Sequence, residues 1–277
     1  MHEEDPTFGV YVDSESHETV VSGLGEMHLD VVIKRLMDRY SIEVETKRPR
    51  IPYRETIRRS TKTSYRHKKQ SGGAGQFGEV HLYIAPYDEN MPVPGEFNVR
   101  GEELEELSWG GYLHFVNSIV GGSIEARFFP AIKKGVLEML ASGPHAGYPV
   151  SNVRVVLHDG KMHPVDSNEN AFKTAGKLCF RQGFAECSPK LMEPIWNVEI
   201  TAPTDYMGEV MGDISGRRGR IIGMDTKGAS QVISAQIPLD ELYGYAARIR
   251  SLTQGRGSYT RGFSHYEEVP SDVEKRI

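Results

Sequence analysis

Apolar and polar residues alternate through Phe8–Asp13 and again through Glu18–Ser22, a period of two that predicts a pair of strands joined by a turn at Asp13–Ser16. The period then lengthens. Leu29, Val32, Ile33 and Leu36 recur at helical spacing between Gly23 and Tyr40, and Ser41–Thr46 returns to alternation as a third strand. One helix cannot cover such a sheet alone, so this stretch is read as part of a small α/β domain with further material expected upstream. His28 lies beside the apolar face and is assigned to packing.

A strand through Thr56 and Ile57 opens a second pattern, and Val80, Leu82 and Ile84 alternate in another. Pro86–Gly122 shows no period, contains Pro92 and Pro94, and is expected to be irregular. A helix follows over Phe128–Ser142, with Ile132, Val136, Met139 and Leu140 on one side; the Gly and Pro residues of SGPHAGYP end it. Val150–His158 is a strand, Asp159–Asp166 a tip, and Ser167 or Asn168 the cap of a helix reaching Phe184.

Leu191–Val269 carries a β-α-β-β-α-β order, the split βαβ pattern. The strands are expected over Pro194–Ala202, Ile221–Asp225, Gln231–Pro238 and Ser258–His265, and the helices over Met207–Ser215 and Asp240–Leu252.

The composition is that of an ordinary soluble protein. No run of about 18 apolar residues offers a membrane span and no signal-like leader is present, so a cytoplasmic location is expected. Cys179 and Cys187 lack metal-ligand partners at standard spacing and are expected to be reduced and structural. The net charge of −5 argues against a polyanion partner until its distribution is considered. Ten Lys or Arg lie between Lys47 and Lys69 against one acid, Glu55, whereas acids gather at Glu102, Glu103, Glu105 and Glu106. Local potential steers phosphates, because charges beyond about 8–10 Å are screened in physiological salt.

The candidate chemistry centres on Tyr65–Gly78. Arg66, Lys68 and Lys69 supply charge, and Gln70, Ser71 and Gln76 supply neutral hydrogen-bonding groups; Phe77 offers a π-face for a base. Gly72, Gly73, Gly75 and Gly78 give the backbone freedom for left-handed conformations and close approach. Gly73–Gly78 formally satisfies G-x-G-x-x-G, but it follows a cationic segment and leads into a strand, the wrong context for a dinucleotide site. Nucleic-acid backbone is the preferred ligand, with a ligand-free hairpin tip as the bland alternative.

At the second tip, Gly160, His163 and Asp166 share a loop in which His163 can hydrogen-bond RNA bases or 2′-hydroxyls. A metal site from His158, Asp159, His163 and Asp166 lacks tight ligand spacing. Arg217, Arg218 and Arg220 stand among glycines in GDISGRRGR and suit phosphate contact, with a turn salt-bridged to Asp213 as the alternative.

Seven ordered blocks carry a more specific resemblance: SGLGEMHLD, YRHKKQSGGAGQFGEVHL, FFPAIKKGVLEML, SGPHAGYPV, VDSNENAF, GDISGRRGRIIGM and LYGYAARIRSLTQGRGSYT. Together they resemble the C-terminal half of elongation factor G, the bacterial translational GTPase family, over nearly the whole chain. The resemblance implies an α+β chain of three small domains: a partial domain III over 1–53, ferredoxin-like; domain IV over 54–190, with a fold like domain 2 of ribosomal protein S5; and domain V over 191–277, ferredoxin-like. It further implies a monomer whose partners are the ribosome, ribosomal RNA, tRNA and mRNA. The tip formed by Gln70–Gly78 and Gly160–Asp166 would enter the decoding region, and Gly212–Gly219 would face large-subunit RNA.

Three features depart from the family pattern: Ala74 replaces a common basic residue, Pro164 stands at a common aspartate, and Gly95–Asn117 is longer than the family's corresponding link, which leaves open a paralogue acting in ribosome recycling or rescue. The chain has no G-x-x-x-x-G-K-[ST] loop. No cofactor and no catalysis are therefore expected of these residues, with GTP and Mg²⁺ on an upstream domain. A phosphate-binding enzyme and an interaction protein without RNA contact are the readings from other classes.

Overall fold

A computed structural model describes residues 5–13, 18–70 and 75–277. The chain divides into two compact units, one of Met1–Pro52 with Glu193–Glu267, the other of Tyr53–Met192 with Glu268–Ile277. In the first, β1 (Gly9–Val12) pairs antiparallel with β2 (Thr19–Ser22), and α1 (Glu26–Tyr40) follows. The turn expected at Asp13–Ser16 lies outside the described residues beyond Asp13. His28 is structural: its Nδ1 accepts from the Leu24 amide at 3.1 Å, and its Nε2 lies 2.8 Å from the Asp5 carboxylate.

The third strand expected over Ser41–Thr46 does not form. Ser41 ends α1 in the left-handed region, with φ of 53°, and Ile42 and Val44 stay exposed. Alternation over so few residues stabilises a strand only when an edge pairs with it. Here the following cations set the path instead, with Lys47 and Arg50 on Glu18 and Arg48 on Asp240.

The second unit is built from β3 (Arg54–Ile57), β4 (Thr61–Lys69), β5 (Gln76–Pro86), β6 (Gly101–Glu106), β7 (Tyr112–Asn117), α2 (Phe129–Ser142), β8 (Val153–Lys161) and α3 (Glu169–Glu186). Its main sheet runs β4-β5-β8-β7-β6, antiparallel except for the parallel pair β7 and β8. Val80, Leu82 and Ile84 point to one face with Leu113, Phe115, Val155 and Leu157, where they meet Ile132 and Val136 of α2 and Phe172, Phe180 and Phe184 of α3. Each such side chain contributes roughly 1.5–3 kcal/mol by leaving water. The helices cross closely because a side chain at Gly135 would lie 2.1 Å from the Lys173 carbonyl.

β6 and β7 correct the expectation that 86–122 is irregular. Leu113 and Phe115 join the core while His114 and Val116 face the other way, so β7 does alternate. His114 hides the pattern because it is a buried polar residue, held by Arg154 at 3.0 Å and Glu102 at 3.2 Å. β6 reads as an acidic loop because an edge strand tolerates charge on both faces. Lys133 pairs with Glu103 and Glu105, each at 2.6 Å. Arg154 also donates to the Met91 and Pro92 carbonyls, seating the preceding loop so that Phe97 covers Val116 and Val156.

The SGPHAGYPV block also has a structural task. The Glu55 carboxylate is fully buried and accepts from the amides of His145, Ala146 and Tyr148, tying β3 to the segment after α2. Cys179 and Cys187 are free and buried, and burial pushes the Cys179 thiol up to about 12.

β9 (Pro189–Pro203) pairs with β3 at its start and continues into the first unit. There α4 (Met207–Gly216), β10 (Arg220–Lys227), β11 (Ser230–Pro238), α5 (Tyr245–Leu252) and β12 (Ser258–Glu268) complete the expected βαββαβ order, and α6 (Ser271–Glu274) ends the chain. The strand order β10-β11-β9-β12 is that of a split βαβ sheet. The second helix is shorter than expected. Leu239–Leu242 is a 3-10 turn, and Gly244, with φ of 69°, starts the helix afresh.

Candidate nucleic-acid interface

The cationic segment lies where β4 meets β5, and the segment after β8 packs on it. The two tips expected from sequence are one structure. The Phe77 amide donates to the Asp166 carbonyl at 2.9 Å, and Ser167 Oγ donates to the Phe77 carbonyl at 2.9 Å. Ser167 Oγ also accepts from the His163 amide at 2.8 Å. His163 Nδ1 lies 3.1 Å from the Asp166 amide and 3.4 Å from the Asp166 carboxylate, and among the described residues Nε2 has no partner. The Phe77 and His163 rings lie 6.1 Å apart, and Val165 is 82% exposed at the apex.

The cations are not equivalent. Arg66 donates to Glu79 directly across the strand pair, at 2.5 Å. Burial alone would raise the Glu79 carboxyl, but hydrogen bonds from His81 and Arg66, with the charges of Arg66 and Lys161, hold it below the usual carboxylate range. Lys68, Lys69 and Gln70 are exposed, and among the described residues neither lysine has an ion-pair partner. The Gln76 side-chain oxygen accepts from the His67 ring Nε2 at 3.1 Å.

Ser71, Gly72 and Gly73 lie outside the described residues. Gly75 and Gly78 are not left-handed; they permit close approach. A side chain at Gly75 would meet the Asp166 carboxylate at 2.8 Å, and one at Gly78 would meet the Ala171 backbone at 3.2 Å. Gly160 is a correction of place: it is buried in β8, where a side chain would lie 2.3 Å from the Glu79 carbonyl, so it supports the tip from beneath.

Sequence reading missed Ser167 as the latch between the loops and Lys161 as an exposed cation opposite Glu79. Lys161 was visible as the charge flanking Gly160, whereas Ser167 was legible only as a helix cap. Asn168 takes that duty, accepting from the Ala171 amide at 2.9 Å.

The arginines of the second feature are largely neutralised. Arg217 donates to Asp213 at 2.8 Å and to the Glu241 carbonyl at 2.6 Å, with its guanidinium over the Tyr245 ring. Arg218 holds Glu193 with both terminal nitrogens and Glu241 with Nε. Arg220 remains exposed beside Gln236 and Glu267. The geometry therefore realises the salt-bridged alternative at Arg217 and Arg218.

The Gly-Lys pairs do not form nucleotide loops. Gly160 is within a strand, and Gly176 lies within α3, where a side chain would meet the Ile132 carbonyl at 2.8 Å. Neither offers a phosphate a run of free amides. Among the described residues no helix is long and apolar enough to cross a membrane.

Three family models match the chain in order. Elongation Factor G, domain III matches residues 1–48; Elongation factor G, domain IV matches 49–103 and 87–188; Elongation factor G C-terminus matches 190–277. A crystal structure of a protein from Thermus thermophilus is similar at a TM-score of 0.83 and 37% identity, and the match covers 100% of this chain and 38% of that one.

Proposed function

Because the chain belongs to the elongation factor G family, we propose that it is the ribosome-binding C-terminal part of a translation elongation factor, with its latched tip entering the decoding region as tRNA and mRNA move. The observation that carries this reading is the joining of Phe77, His163, Lys68 and Lys69 at one end of the β4–β5 pair. A ring face, an exposed imidazole and two exposed lysines without ion-pair partners among the described residues suit single-stranded or distorted RNA, which is read by stacking and edge contacts after phosphate charge has drawn the partners together. GTP and Mg²⁺ chemistry belongs to residues outside this chain, and these domains act by position rather than catalysis.

The test is translocation by a full-length family protein carrying this segment, with His163→Ala and Gln76→Ala introduced together. Slower tRNA–mRNA movement with intact GTP turnover supports the assignment. An unchanged translocation rate contradicts it.

A further inference from the structure

Arg217 and Arg218 are committed to carboxylates, so phosphate contact by the C-terminal βαββαβ region falls to its other cations. Arg256 has the properties those two lack. Its guanidinium lies over the Tyr206 ring, 5.0 Å from the centroid, and donates to the Tyr206 hydroxyl; among the described residues it has no carboxylate partner. The side chain is exposed.

The turn beneath it is rigid for local reasons. Thr253 is fully buried, and its hydroxyl donates to the Ile249 carbonyl and accepts from the Gly257 amide, both at 2.7 Å. The Gly255 amide returns to the Arg250 carbonyl at 2.7 Å, a path that requires the left-handed backbone of Gly255, with φ of 80°. The Arg256 amide donates to the Thr253 carbonyl at 3.1 Å. No side chain fits at Gly257, where an added carbon would lie 2.6 Å from the Thr253 hydroxyl. The turn thus holds the Arg256 backbone in place, and the Tyr206 ring and hydroxyl hold its guanidinium.

Guanidinium carries five donors in a planar fork. The Tyr206 hydroxyl takes one donor, so the remaining donors are left for the oxygens of a phosphate. Holding the fork in advance lowers the ordering cost of binding.

We propose that Tyr206 and Arg256 form a backbone-phosphate site for ribosomal RNA and supply the contact that the sequence attributes to Arg217 and Arg218. This rests on the ribosome-binding reading above.

The 277-residue chain, its Arg256→Ala, Arg256→Lys and Tyr206→Ala variants, and Lys227→Ala as a charge control would be titrated against salt-washed 70S ribosomes across a KCl series. Hydroxyl-radical cleavage of the large-subunit RNA would follow in parallel. Arg256→Ala is expected to bind about tenfold more weakly, with a log K against log salt slope shallower by roughly 0.7–0.9 and one backbone protection lost. Arg256→Lys is expected to keep the slope but lose affinity, since the ammonium retains charge without the fork. Tyr206→Ala is expected to weaken binding while leaving the slope in place.

Wild-type affinity and slope in Arg256→Ala would overturn the proposal while leaving ribosome binding intact. So would an equal effect from Lys227→Ala, or weaker binding with every RNA protection retained, which would indicate an acidic protein partner. If the wild-type chain shows no salt-sensitive binding, the ribosome-binding reading fails and this inference falls with it.

Discussion

The central tip and the Gly212–Arg220 turn share one sequence signature, cations set among glycines, yet their electrostatics are opposite. At the tip Lys68 and Lys69 have no ion-pair partner among the described residues, while at the turn Asp213, Glu193 and Glu241 hold Arg217 and Arg218. What separates them is the surrounding carboxylates. β4 and β5 carry the lysines away from the acidic edge at β6, whereas the end of α4 packs its arginines against β9 and the segment before α5. Whether the charges of a cationic glycine cluster stay free for a ligand is therefore decided by the carboxylates the fold brings beside them.

The largest effect that would break this contrast is on stability. Arg218→Ala strips the partner from Glu193, whose side chain is 3% exposed, and is expected to cost about 2–4 kcal/mol in urea unfolding. Lys68→Ala is expected to stay within about 0.5 kcal/mol. Equal costs at the two positions would erase the distinction.

Acid sharpens it. Burial alone would raise the Asp213 carboxyl, but hydrogen bonds and charge from Arg248 and Arg217 hold it below the usual carboxylate range. A carboxylate depressed in the folded state adds stability above its unfolded pKa, and that stability is lost as pH falls through the folded value. The expected outcome is a decline in melting temperature below about pH 4 that Asp213→Asn reduces.

Part of this was legible from the chain alone. Asp213 stands four residues before Arg217, helical spacing that advertises the pair, and the α2, α3 and βαββαβ patterns followed from apolar period. Glu193 lies too far along the chain to be assigned to Arg218 without the fold. β6 and β7 were hidden because one is an acidic edge and the other carries a buried histidine. Gly78 resembled turn glycine, but its reason is spatial, the passage of Ala171.

Ser167→Ala probes the tip on a finer scale. Losing the bonds to the His163 amide and the Phe77 carbonyl is expected to cost about 1 kcal/mol. Amide hydrogen exchange should then speed up at His163 and Phe77 while the α3 interior is unaffected. Unchanged exchange at both amides would mean that Ser167 does not hold the loops together.

The central claim is that the tip lysines face RNA phosphate, and the salt dependence of 70S ribosome binding addresses it most directly. For Lys68→Ala combined with Lys69→Ala, the account predicts a log K against log salt slope shallower by roughly 1.4–1.8, with an unchanged melting temperature. A wild-type slope in the double variant would contradict it.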